Sequence, residues 1–219
     1  MSQQEHSKII DKLAKQIFQP HGLEQKGKSR TWYDDQGRYT TVIEFQPHKW
    51  EHGAFLNVGV NFHWYAQAYT SFDIGYRVTG FEKFETAKQF TSKIEDMVRL
   101  ALDKAFFYRQ QLKDIHAAKS FILAHEFTSD SLWGNYHKGV ICGLTHDTDG
   151  LYNHFDALLL VDHDVQWANE LKSNVGHLKG IAADHSKFRS EILRIILESR
   201  NLKKLKPMEI ELLNSIDGL

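Results

Sequence analysis

Apolar residues near the amino terminus recur at helical spacing. Ile9, Ile10, Leu13 and Ile17 predict a first helix that stops near Pro20 and Gly22. The period then drops to two. From Ala54 to Trp64, the residues Leu56, Val58, Val60, Phe62 and Trp64 face one way, and Asn57, Gly59, Asn61 and His63 the other. Thr41, Ile43 and Phe45 alternate in a preceding strand, and Phe72, Ile74, Tyr76 and Val78 in a following one. Arg30 to Tyr33 predicts a shorter strand, closed by the turn-forming run Asp34-Asp35-Gln36-Gly37. Consecutive strands with short connections favour an antiparallel meander of about four strands.

From Thr86 the period is helical again. Thr86-Ala-Lys-Gln89 is a capping-box pattern, followed by Phe90, Ile94, Met97, Val98, Ala101 and Ala105 on one stripe. Ile115, Ala118 and Ile122 predict a second helix reaching about His125. Residues 133–160 read as two helices split at Asp147-Thr-Asp-Gly150. Asp164 is the expected N-cap of a helix carrying Val165, Ala168 and Leu171. Phe188, Ile192, Ile195 and Ile196 mark another, and Pro207 opens a short terminal one. The basic run Arg200 to Lys206 suits a helix C-terminus, where cations oppose the dipole. No linker, low-complexity tract or fixed-period repeat interrupts the chain. The expectation is one α+β unit over 1–219: a helix plus an antiparallel sheet in 1–85, and an all-helical half in 86–219.

Composition adds constraints. A chain of 219 residues with 42% hydrophobic content can bury a full core. A formal net charge of −1 supplies no field for a phosphate backbone, so no nucleic-acid partner is expected. No run approaches the roughly 18 apolar residues of a membrane span, and the polar start lacks a signal-peptide core. The single cysteine, Cys142, sits among Val140, Ile141, Gly143 and Leu144, which suits a buried, inert thiol in a reducing compartment. A cytoplasmic protein without membrane association is the expectation.

One resemblance emerges from the strands. A glycine precedes a Lys-rich step into an aromatic strand (Gly22, Lys26, Lys28, Trp32, Tyr33). An aromatic-Gln pair is followed by a Trp (Phe45, Gln46, Trp50). The strand Phe55-Leu-Asn-Val-Gly-Val60 comes next, and helices close the domain. On these residues the N-terminal part resembles the bacterial family catalogued as domain of unknown function 4304. From about Thr86 the likeness is one of architecture. The resemblance implies an α+β fold, assigns no activity and supplies no catalytic residues.

Paired as a meander, the strands would collect Arg30, Glu44, Gln46, Asn57, Asn61, His63, Asp73 and Arg77 on one face. That set could line a cleft for a polar ligand, or could simply be the wetted side of a sheet. Gly59 suggests a close approach, with Trp32 or Trp50 packing over it. Trp50, in the loop Pro47-His-Lys-Trp-Glu-His52, is a candidate recognition residue.

Thirteen histidines include His146-Asp147, His154-Phe-Asp156 and Asp162-His163-Asp164, but no compact metal-ligand spacing, so no metal or cofactor is expected. Nucleophile elbows and phosphate-cradling glycine loops are absent. The composite expectation is a non-catalytic binding protein. It would meet a protein partner or a small polar ligand through the polar sheet face and the Trp50 loop. The alternative is a small, metal-dependent hydrolase working through Glu44, His63, Asp73 and Arg77, or through the acidic histidines. A self-associating structural subunit is a third reading. The sequence leaves the oligomeric state open.

Overall fold

A computed structural model describes residues 5–127, 131–210 and Leu212. The chain divides into two compact units: Met1–Phe62 with Tyr69–Gln110, and His63–Ala68 with Gln111–Leu219. The architecture is α+β, with the sheet in the first unit and, among the described residues, five helices in the second.

In the first unit, α1 (Glu5–Phe18) ends in a 3-10 turn over Gln19–His21, and Gly22 leaves it in the left-handed conformation, φ 83°. The buried stripe of α1 is His6, Ile10, Ala14 and Phe18, one residue on from the expected Ile9, Leu13 and Ile17, which are half-buried. Strands β1 (Glu24–Gln25), β2 (Thr31–Asp35), β3 (Tyr39–Gln46), β4 (Gly53–Phe62) and β5 (Ile74–Arg77) follow in spatial order, all antiparallel. A further strand, β6 (Glu82–Lys83), pairs with the start of β4. The sheet therefore has six strands where the alternation predicts about four. Two-residue strands carry no readable period.

Leu56, Val58, Val60 and Phe62 of β4 are buried in the core with Trp32 of β2 and Ile43 and Phe45 of β3. Phe18 packs against Trp32 and Phe45 at ring separations of 5.3 and 6.4 Å, so α1 closes this side through aromatic contacts. Each such fully buried ring removes enough apolar surface from water to stabilise the fold by roughly 1.5–3 kcal/mol. Helix α2 (Ala87–Gln111) begins as its sequence predicts. Thr86 Oγ1 accepts from the Gln89 amide at 3.2 Å, and Gln89 Oε1 accepts from the Glu85 amide at 3.4 Å. Near its end, Arg109 donates Nε and Nη2 to the two carboxylate oxygens of Asp34, at 2.8 and 2.7 Å. Asp34 is thus a buried strand residue, and the turn expected there starts only at Gln36.

The alternation of β4 runs on to Trp64 in the sequence, yet the strand ends at Phe62. Trp64 is still buried, but in the second unit. There its carbonyl accepts from Tyr136 Oη at 2.6 Å and its indole N–H donates to His137 Nδ1 at 2.9 Å. That unit is built from α3 (Ile115–Ala124), α4 (Ser131–Leu144), α5 (Thr148–Leu160), α6 (Gln166–Ile181) and α7 (His185–Leu202). Asp114, Asp147 and Asp184 cap α3, α5 and α7 with their carboxylates. The expected cap at Asp164 does not form: Val165 precedes α6 and no side chain caps it. Residues 205–210 carry no helix, and the rest of the one expected after Pro207 lies outside the described residues. Arg200 stands in the last turn of α7, as the basic run predicts, and is buried there, donating Nη2 to the Lys206 carbonyl at 2.6 Å. Cys142 is buried, and burial together with Asp147 pushes its thiol up to about 11, which keeps it protonated and unreactive. No helix among the described residues is long and apolar enough to cross a membrane.

Candidate functional site

Register decides which polar residues meet. Glu44 of β3 stands opposite Asn57 of β4, which stands opposite Arg77 of β5. This row closes on itself. Asn57 Nδ2 donates to Glu44 Oε2 at 2.8 Å and to Gln46 Oε1 at 3.1 Å. Arg77 Nε donates to Asn57 Oδ1 at 2.8 Å and Nη2 to Gln46 Oε1 at 2.7 Å. Its guanidinium also lies 3.9 Å above the ring of Phe55. The buried amide of Asn57 uses both donors and its oxygen, so burying it costs little.

A second cluster lies further along the same strands. Asp73 accepts from Asn61 Nδ2 at 3.1 Å, from the Phe62 amide at 2.6 Å and from Ser71 Oγ at 2.8 Å. These bonds tie the segment before β5 across the sheet. Thr70 Oγ1 meets Tyr33 Oη at 2.9 Å. Phe72 fills the space over Gly59, where a Cβ would stand 2.7 Å from its ring and 2.5 Å from the Ile74 carbonyl. The ring on Gly59 is therefore that of Phe72, not Trp32 or Trp50. One end of the expected cleft is therefore covered by the chain's own residues 70–73, held by Asp73 and Asn61 Nδ2, while Asn61 Oδ1 is buried without a partner among the described residues.

Two members of the expected set lie elsewhere. Arg30 shares the parity of the core residue Trp32, and its main chain bonds Phe45 rather than Glu44. Its side chain turns to α1, donating to Gly53 O at 3.1 Å, Ser7 Oγ at 2.6 Å and His6 Nε2 at 2.8 Å. Since Arg30 only donates, His6 accepts at Nε2 and carries its proton on Nδ1. Burial, then Arg30, then the neighbouring His52 hold His6 below its ordinary pKa. His63 belongs to the second unit, fully buried, with Lys203 Nζ 3.4 Å from its Nδ1. Burial, then Lys203 and Arg200, hold it well below the usual histidine range, so it stays neutral.

The loop between β3 and β4 is different in kind. Trp50 is 79% exposed, and its only aromatic or cationic neighbour among the described residues is Lys49, whose Nζ stands 4.6 Å from the ring. The backbone carrying it is nevertheless held at several points. His48 Nδ1 accepts from the amides of Trp50 and Glu51 at 3.3 and 3.2 Å. The His48 ring packs on Phe81 and Phe55 at 5.0 and 6.0 Å. Glu51 pairs with Lys83 at 2.8 Å, and the Phe84 amide donates to the His52 carbonyl at 2.8 Å. His52 stacks on His6 at 4.9 Å. At the end of the loop Gly53 has φ 152°, and a Cβ there would lie 2.2 Å from the Glu82 carbonyl.

Sequence reasoning finds Trp50 but misses this scaffold of His6, Arg30, His48, Gly53 and Phe81. The signal available is slight: a glycine just ahead of an alternating strand, and histidines flanking the Trp at positions 48 and 52. Among the described residues no group of three or more His, Cys, Asp or Glu side chains is placed to hold a metal. No family model, curated protein or solved structure matches this chain.

Proposed function

We propose that this chain is a cytoplasmic, non-catalytic binding protein that engages a protein partner through Trp50 and the loop around it. The observation that carries this reading is a large aromatic side chain, 79% exposed, on a loop fixed by side-chain hydrogen bonds, an ion pair and ring stacking. Such a side chain offers much contact area, and a loop already held in place loses little freedom on binding. Lys49 beside the Trp50 ring, and Phe55 and Phe81 packed on His48 beneath the loop with Arg77 over Phe55, suit the same role. Membership of the family of domain of unknown function 4304 belongs to this proposal and brings no activity with it.

The polar sheet face supports catalysis less well. A general base needs a free lone pair aimed at substrate. Asp73 has given three acceptor positions to the fold, and Glu44 accepts from Asn57.

The test compares proteins retained from the source cytosol by the wild-type chain and by Trp50→Ala, with Lys88→Ala, an exposed residue of α2, as a surface control. A partner held by wild type and the control but lost with Trp50→Ala supports the reading. An identical set on all three baits overturns it. So does a hydrolytic activity that disappears in Asp73→Asn or Glu44→Gln.

A further inference from the structure

We propose that the second unit holds a binding site for a small phosphate monoester, in the cavity between the turn after α4 and the first two turns of α7. The cavity measures about 470 Å3, within the range of small-molecule sites. Its polar lining consists of His146, His185, Ser186, Arg189 and Ser190, and no carboxylate lines it.

The acids close in sequence are committed elsewhere. Asp147 pairs with Lys119 at 2.8 Å and caps Gly150. Asp184 accepts from the Lys187 amide and pairs with its ammonium at 3.1 Å. Glu191 pairs with Arg194 and His177. Arg189 is left with no hydrogen bond or ion pair to any described residue. The start of α7 is not itself the attraction, because Asp184 already takes first-turn amides; the site is made of side chains.

His146 supplies an independent observation. It closes α4 with φ 60°, a left-handed position that glycine or asparagine fills most easily. A histidine there carries backbone strain, and its imidazole makes no hydrogen bond to a described residue. What the conformation achieves is to lay the ring on His185, centroids 4.0 Å apart and planes 26° apart. The backbone conformation itself belongs to the helix end, where the His146 and Asp147 amides donate to the Gly143 and Cys142 carbonyls at 3.4 and 2.9 Å, so it is the stacked, unbonded imidazole that marks the cavity. A stacked pair without a third ligand does not suit a metal ion.

An anion fits the donors. Arg189 provides a planar fork, the two serines provide hydroxyls, and each imidazole provides an N–H. A phosphate group with three terminal oxygens can occupy this many donors, whereas a carboxylate would leave some unmet. Leu144 and Leu193 line the remaining wall, where the organic part of an ester would lie.

The test uses phenyl phosphate as probe, with calorimetry and histidine-ring NMR on the full chain, its Arg189→Ala variant and its His146→Gly variant. Glycine relieves the left-handed position, so His146→Gly keeps the fold and its melting temperature does not drop. The expected result is one bound probe, shifted His146 and His185 ring signals, and affinity weakened about tenfold or more in each variant, as for loss of a hydrogen bond to a charged group. Inorganic phosphate and benzoate should both bind more weakly. The proposal is overturned by no binding, by undiminished binding in both variants, or by benzoate binding as tightly as phenyl phosphate.

Discussion

The polar sheet face and the Trp50 loop lie in the same unit, and their polar groups work in opposite directions. On the face, Asn57 bonds Glu44, Gln46 and Arg77, while Asn61 and Asp73 bond each other and Ser71, so most of the groups that look like a site are consumed in holding the fold, Asn61 Oδ1 excepted. On the loop, His48, Glu51 and His52 bond inward and leave the large side chain outside. The contrast teaches that a concentration of polar residues marks a site only where their bonding capacity is unspent. An exposed apolar residue becomes informative when its backbone is held.

The sharpest way to break the contrast is at Gly53. A Cβ there would meet Glu82 O at 2.2 Å and the Phe81 ring at 2.7 Å, on a backbone with φ 152°. Gly53→Ala should destabilise the chain by about 3 kcal/mol or more, since both the clash and the dihedral must be relieved. Denaturant unfolding measures it; a loss under about 1 kcal/mol would mean the loop is not held as described.

Next comes the roof. Asp73→Ala removes the acceptor shared by the Phe62 amide, Asn61 Nδ2 and Ser71 Oγ, leaving Asn61 and Ser71 bonded to each other. The expected cost is about 2–4 kcal/mol, from the three hydrogen bonds lost. Hydrogen exchange of the Phe62 amide should rise with it. Unchanged protection there would show that Asp73 does not close the face.

How far the sequence foretells this varies with the physics involved. The helical stripe of α2, its cap at Thr86 and the alternation of β3 and β4 are local periodicities, and each forms where the pattern places it. The short strands β1 and β6 are set by pairing partners distant in sequence, so no local pattern announces them. Trp64 continues the alternation of β4 but is buried in the second unit beside the equally buried His63, and the period alone cannot say which unit takes it. Face assignment fails at Arg30 for a related reason. Its parity matches Trp32, so it belongs with the core side, and only the observed register with Glu44 and Phe45 makes that plain. Glu44, Gln46, Asn57 and Arg77 are brought together as the alternation suggests, but their mutual saturation is a matter of distances that no sequence pattern holds.

A gentler perturbation is acid. His6 is held below the 6.5 of a free histidine by burial, Arg30 and His52. As pH falls through about 6.5, the unfolded chain takes up a proton that folded His6 refuses. The contribution of this position is therefore complete above 6.5 and declines below it, as a cation forms against Arg30 and the stacked His52. His6→Gln keeps an acceptor for Arg30 without the titration. Melting temperature followed from about pH 8 to 5 should fall less steeply in that variant. Parallel profiles would remove His6 from the loop's support. His63, His125 and His154 are shifted the same way and leave a residual slope in both proteins.

The smallest expected effect on stability is the most informative about function. Trp50 touches little beyond Lys49, so Trp50→Ala should change unfolding free energy by no more than about 0.5 kcal/mol, as for a surface substitution. If the loop is a recognition element, the same variant loses its partner, because a fixed aromatic anchor carries a disproportionate share of binding energy. Pairing Trp50→Ala with Asp73→Ala separates the two regions: one removes binding and leaves the fold, the other weakens the fold. A chain that loses stability in Trp50→Ala would reveal a ring packed inward in solution, and the distinction between spent and unspent surface would then fail at its clearest point.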